Sequence, residues 1–221
     1  GIPTVGTSAH SFTLLHDSEE DAFAAQVASL GPSTTILVDT YDIATGVERA
    51  VKAARAAGGE LGAVRLDSGD LVAEAFKVRA QLDALGATST KITVTNDLDE
   101  HAIAALGAAP VDSYGVGTKL VTGSGRPTAA LVYKLVEREG ADGTMEEVAK
   151  FSSGGKSTVE GRKWAGRTLT SEGTAAEELV VSSSSQDQGL AALSEAGARP
   201  LQVLLVDEGR IIEEHRGKEA L

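Results

Sequence analysis

Short apolar, β-rich runs return along this chain every 25 to 30 residues, with helical patterns between them. That period constrains the fold more than any other feature. The runs are Ile2–Gly6, Ile36–Thr40, Ala63–Ser68, Lys91–Asn96 and Ser113–Thr118. Ser18 can cap a helix reaching Leu30, with Glu19, Glu20 and Asp21 in the acidic first turn that the helix dipole favours. Val47, Val51 and Ala54 keep helical spacing until Gly58-Gly59, and Leu71, Ala75, Val78 and Leu82 keep it until Gly86. Asp99 can cap a shorter helix carrying Ile103 and Leu106. Strands alternating with helices of this length make βαβ units on a parallel sheet. The spacing alone leaves an open doubly wound sheet and part of a barrel as alternatives.

The polar residues say where chemistry belongs. Asp39, Asp67 and Asp97 stand at the C-terminal ends of their runs, 28 and 30 residues apart. Gly6-Thr7 ends the first run and Thr118 the fifth. In α/β folds the strand C-termini share the face where ligands bind, so five polar strand ends predict one site. A single Asp after a strand more often just starts a turn or caps a helix. Three in register argue for a site.

The texture changes after Pro127. Ala130–Glu137 and Met145–Ser152 read as an antiparallel pair around Gly140–Gly143. A basic, glycine-containing stretch, Gly154–Arg167, follows with Lys156, Arg162, Lys163 and Arg167. Ser182–Gln188 reads as a polar linker, Gly189–Ala196 as a short helix and Leu201–Asp207 as a strand. A boundary near residue 125 separates a βα part, 1–125, from a smaller α+β part, 126–221. The opening Gly1-Ile2-Pro3, in place of a methionine, suggests a fragment, a processed chain or restarted numbering.

Composition excludes some functions. There is no cysteine, hence no disulfide, thiolate metal site or cysteine nucleophile, and a reducing cytoplasm fits that absence. A formal net charge of −12 argues against nucleic acid or an anionic membrane as the main partner. No apolar run nears 18 residues, so no membrane span is expected. An anionic small substrate stays open, because a phosphate site needs only local N–H groups and one or two cations.

Four motifs carry candidate chemistry. Gly6-Thr7-Ser8-Ala9-His10-Ser11 sets hydroxyls and one imidazole after a strand, where neutral histidine can serve as nucleophile or base. In Val64-Arg65-Leu66-Asp67, alternation turns Arg65 and Asp67 to one face, opposite Val64 and Leu66. An inward Arg is costly unless it meets an anion, either Asp67 itself or a substrate carboxylate. Thr93–Glu100 contains Asp97 as site candidate, with Asp99 and Glu100 explained as the start of a helix. Tyr114-Gly115-Val116-Gly117-Thr118-Lys119 can present N–H groups and a hydroxyl to a phosphate. His16, His101 and His215 lack such surroundings.

GTSAHS, VDTYD, VRLDSGDL, TNDLDE, YGVGTKLVT and VYKLVE occur in that order. Together they resemble the nicotinate phosphoribosyltransferases, of the type II phosphoribosyltransferase group, from residue 1 to about 167. The resemblance implies part of a TIM-like parallel βα barrel followed by a smaller α+β part, with the family's first third absent. It implies transfer of 5-phosphoribosyl from its diphosphate to nicotinate, giving nicotinate mononucleotide and diphosphate with ATP hydrolysis and Mg2+, in cytoplasmic NAD salvage by a homodimer. By position, Thr7 and Arg65 match nicotinate-binding residues, His10 the histidine that ATP phosphorylates, and Thr118 a ribose-phosphate contact. Asp67 and Asp97 match acidic positions facing ribose and diphosphate. Three other functions compete: a sibling enzyme using nicotinamide or quinolinate, a truncated non-catalytic ligand-binding module, and a phosphate-binding isomerase or aldolase of barrel type.

Overall fold

From Thr35 onward the chain lays down four short strands in order: β1 (Thr35–Leu37), β2 (Ala63–Leu66), β3 (Lys91–Val94) and β4 (Ser113–Tyr114). All pair in parallel, and the sheet order is their sequence order. Among the described residues this sheet has no reversal of strand order of the kind a doubly wound sheet has at its switch point. Before the sheet come α1 (His10–Leu14) and α2 (Glu19–Leu30). The crossovers are α3 (Ile43–Ala56), α4 (Leu71–Ala84) and α5 (Glu100–Leu106), and α6 (Thr118–Thr122) follows β4. The computed structural model describes residues 1–2, 6–123, 125–151 and 157–212.

The helices start where short polar side chains can accept orphan backbone N–H groups. Ser18 caps α2 through the N–H of Asp21, Asp42 caps α3 through Thr45, Asp70 caps α4 through Ala73, and Asp99 caps α5 through His101 and Ala102. Ile36, Val38, Val64, Leu66, Ile92 and Val94 pack with Phe23, Val47, Ala50, Val51, Val78 and Leu82 in one dry cluster. Alternation therefore turns Arg65, Asp67, Thr93 and Thr95 to the other face. Register completes that face, with Leu37, Arg65 and Thr93 side by side across β1, β2 and β3. Gly46 lets α3 approach β1, because a methyl there would overlap the Val38 carbonyl oxygen.

Several expectations shift. Thr118 does not end a strand. Gly115-Val116-Gly117 breaks the ladder after Tyr114, and Thr118 opens α6 with Gly117 as N-cap. Residues 3–5 of the first apolar run lie outside the described residues. Past residue 125 the expected pair shifts: Ala130–Val136 is not strand, β5 is Glu137–Glu139, and β6 keeps only Met145–Glu147 of its run. A turn joins them, in which the N–H of Gly140 donates to Thr144.

The chain divides into two units, Gly1–Thr144 with Val148–Val159, and Met145–Glu147 with Glu160–Leu221. In the second, β7 (Lys163–Leu169) lies between antiparallel β8 (Ala175–Ser182) and β9 (Arg199–Pro200). There α7 (Gln186–Glu195) sets Leu193 against Trp164 and Ala198. The Ser182–Gln188 stretch is no linker: it ends β8 and supplies Ser185 as the cap of α7. Residues 154–156 of the basic stretch lie outside the described residues, and its Arg162 guanidinium stacks 4.3 Å over the Trp164 ring. Of Leu201–Asp207 only β10 (Val206–Asp207) is strand, paired with β11 (Arg210–Ile211).

Candidate active site

Arg65 is held from three sides by residues of the first unit. Its Nε donates to Thr95 Oγ1 at 3.0 Å and one terminal nitrogen donates to Thr7 Oγ1 at 2.7 Å. The other terminal nitrogen lies 3.5 Å from Asp67 Oδ1. Thr95 in turn hydrogen-bonds Asp67 Oδ1. Arg65 and Asp67 are 21% and 22% exposed, so the ion pair exists and still faces the cleft. The two readings of the pair, structural and ligand-facing, are thus compatible.

His10 opens α1 and meets the ends of β1 and β2. Its Nδ1 is 3.1 Å from Thr40 Oγ1, and its Nε2 is 3.0 Å from Lys150 Nζ. Two carboxylates lie just beyond hydrogen-bond reach of Nε2, Asp67 Oδ2 at 3.8 Å and Asp39 Oδ1 at 3.9 Å. A lysine ammonium only donates, so in this arrangement Nε2 accepts and the ring proton sits on Nδ1, directed to Thr40. Asp39 is 1% exposed and accepts the N–H of Asp67 at 3.1 Å and the hydroxyl of Ser68. Lys150 Nζ, buried too, lies 3.7 Å from Asp39 Oδ2. Among the described residues Asp39 Oδ1 has no hydrogen-bond partner.

The third strand end is conformationally unusual. Asn96 and Asp97 both take positive φ, 111° and 46°, a conformation Asn and Asp tolerate better than most residues. It turns the chain directly after β3 and leaves Asp97 exposed. Gly115 follows β4 and packs so closely on Thr95 that a methyl on it would overlap the Thr95 methyl. A cleft of about 1090 Å³ gathers His10, Arg65, Asp67, Asp97, Gly115, Gly117 and Thr118. Thr7 is tied to this group by the hydrogen bond that Arg65 donates to its hydroxyl. Lys150 and Thr95 are not among the residues expected from sequence, and Asp39 is expected only as a strand end. Asp39 and Thr95 carry a signal, being polar at inward strand-end positions. Lys150 follows β6, far along the chain, and nothing local marks it.

The arrangement offers a planar cation beside a wide cleft, carboxylates at three strand ends, and an imidazole in contact with a lysine. No protein-family model matches the chain. Relatives do. The nicotinate phosphoribosyltransferase pncB1 of Mycobacterium tuberculosis is 55% identical over 188 residues, covering 81% of this chain and 40% of that protein. The chain belongs to the nicotinate phosphoribosyltransferase family. The member from Bacillus subtilis is 41% identical over 168 residues, covering 73% of this chain and 34% of its own length. The chain thus spans well under half the length of these nicotinate phosphoribosyltransferases. A solved structure of the nicotinate phosphoribosyltransferase from Porphyromonas gingivalis shares the fold, with a TM-score of 0.59 at 20% identity over 87% of this chain and 47% of that one.

Proposed function

We propose that the protein carrying this sequence transfers 5-phosphoribosyl from phosphoribosyl diphosphate to nicotinate, with ATP hydrolysis, in NAD salvage. One observation carries the reading: Arg65, Asp67 and His10 converge at one strand-end face, in a chain 55% identical to a protein of that name. Arg65, with Thr7 behind it, binds the nicotinate carboxylate, since a guanidinium fork matches two carboxylate oxygens. Breaking the C1–diphosphate bond builds positive charge on ribose, and Asp67 and Asp97 face that charge. Gly115, Gly117 and Thr118 hold the ribose phosphate through N–H groups and a hydroxyl. His10 accepts the terminal phosphate of ATP, and Lys150 offsets the charge that arrives.

Mg2+ would stabilise the departing diphosphate. Among the described residues no three acidic or histidine side chains form a metal cage. When bound, Mg2+ would be held beside the diphosphate by Asp67 and Asp97, the carboxylates that reach the cleft.

The unreversed strand order supports a TIM-like barrel of which β1–β4 are one arc. The functional boundary we propose lies near residue 125, after the last of the strand-end residues. Among the described residues no helix is long and apolar enough to cross a membrane, and phosphorylated substrates suit a cytoplasmic setting. The assembly we propose is a homodimer.

A substrate panel on the full-length enzyme tests the function. Nicotinate mononucleotide should form from nicotinate, with little product from nicotinamide or quinolinate. Equal use of nicotinamide would remove the carboxylate role of Arg65 and the reading with it.

A further inference from the structure

We infer that Thr95 is the positioning residue of this site: its hydroxyl sets the orientation of Arg65 and of Asp67 together. The inference rests on the proposed function for its activity readout, and on geometry for the rest. Thr95 comes one residue after β3, next to the strand that carries Arg65. Its side chain stands on the same face as Arg65 and Asp67. Arg65 Nε points at Thr95 Oγ1 from 3.0 Å. A guanidinium has no acceptor, so the hydroxyl must receive that bond. Its own proton is then directed elsewhere, and Asp67 Oδ1 is the nearest acceptor. The Leu66 carbonyl oxygen, at 3.5 Å, is the distant alternative.

One hydroxyl thus links the two charged groups with a fixed direction, from Arg65 through Thr95 to Asp67. Two consequences follow. The Nε side of Arg65 is anchored, which turns its terminal nitrogens toward Thr7 and the cleft. Asp67 Oδ1 is drawn to Thr95 and Arg65, which leaves Oδ2 on the side of His10, 3.8 Å away. Without the hydroxyl, Arg65 can fold straight onto Asp67, only 3.5 Å distant already. Such a collapsed pair would neutralise the cation meant for the substrate.

The position of Thr95 is enforced from behind. Gly115 lies against its methyl, and any side chain at 115 would push Thr95 out of line. Gly115 therefore has a reason to be glycine other than exposing an N–H group. Its φ is not positive, so turn geometry does not require it.

The test uses the full-length enzyme with Thr95→Val, Thr95→Ser and Gly115→Ala. Valine keeps the shape and removes the hydroxyl. Serine keeps the hydroxyl and removes the methyl. Thr95→Val should raise the KM for nicotinate by on the order of ten- to a hundredfold, the scale of losing a hydrogen bond to a charged group. Thr95→Ser should stay within a few-fold of the unmodified enzyme, and Gly115→Ala should resemble Thr95→Val. Thermal melts check that all three fold. If valine does not fold, serine and Gly115→Ala still decide the matter by the same contrast. Equal impairment by valine and serine would assign the effect to packing and overturn the inference, as would a normal nicotinate KM in Thr95→Val or Gly115→Ala. A crystal structure of Thr95→Val gives a readout independent of activity: Arg65 should have left its position, and an unmoved Arg65 defeats the idea. Absence of transfer by the unmodified enzyme counts against the proposed function, whereas the contrast among variants and the position of Arg65 count against Thr95 alone.

Discussion

At the scale of single residues, two side chains decide whether this site recognises and handles nicotinate as proposed. Arg65 shares its donors among Thr7, Thr95 and Asp67, and is still one-fifth exposed. Arg65→Gln should therefore raise the KM for nicotinate far more than for phosphoribosyl diphosphate. Losing one partner of a buried charge pair costs about 2–5 kcal/mol, and the partial exposure puts this case toward the lower end. Equal weakening of both substrates in steady-state kinetics would assign Arg65 to holding Asp67 alone. His10 makes a sharper test. With Lys150 as an ammonium donating to Nε2, the ring proton is left to Nδ1, on the side of Thr40. His10→Ala should abolish ATP hydrolysis and acid-labile labelling from radioactive ATP, while a slow ATP-independent transfer persists. ATP consumption in step with product in that variant would reduce His10 to a loop residue. Both residues were legible in the sequence, because each is the wrong chemistry for its local pattern: an Arg inside an apolar strand, an imidazole among small hydroxyls. Lys150 was not. Its partners are His10, 140 positions away, and Asp39, so its meaning exists only after folding.

At the scale of elements, local chemistry was legible wherever one residue type does a local job. Ser18 and Asp99 cap the helices expected of them, and Gly58-Gly59 and Gly86 follow helix ends within a few residues. Strand lengths were less legible, since an apolar run records burial and a strand needs a partner along its whole length. Ser113–Thr118 stops being strand after Tyr114, and most of Leu201–Asp207 never becomes one. The caps can be tested by pH. Thr45, through its hydroxyl and its N–H, holds the Asp42 carboxyl below the usual carboxylate range. A carboxyl lowered by folding contributes stability that is present above its unfolded value, about 3.9, and is lost as pH falls through the folded value. Asp42→Ala should cost about 1 kcal/mol near neutrality. The gap from the parent should close in acid, below pH about 4. A gap independent of pH would mean the cap is not working through its charge. In the same helix Gly46→Ala drives a methyl into the Val38 carbonyl. Overpacking of this kind costs about 1–3 kcal/mol, more than enough to cancel the gain in helix propensity, and denaturant midpoints will show the sign.

At the scale of the whole molecule, the first unit presents a wide cleft with exposed apolar residues beside it. Among the described residues its sheet has two edges, β1 and β4, each paired on one side. Beside the cleft, Leu131, Val132 and Tyr133 are 90%, 70% and 76% exposed. Leu120 and Val121 are exposed as well. Apolar residues clustered this way ordinarily meet a partner surface, and the relatives, of which this chain spans about 40%, have the length to provide one. The chemistry itself also needs enclosure. The charge stabilisation proposed for Asp67 and Asp97 would be strong only where water is excluded, and Asp97 as it stands is exposed. Nicotinate would further need a surface on its ring, and the contact proposed for Arg65 reaches only its carboxylate. A polypeptide of these 221 residues alone should therefore bind phosphoribosyl diphosphate weakly and form nicotinate mononucleotide at a small fraction of the full-length rate. Side-by-side assays at equal concentration, with a label on the nicotinate carbon, measure this directly. Full activity in the 221-residue polypeptide would mean that the cleft closes with its own residues or with a second copy of the same chain, and sedimentation of the active species would separate those two cases.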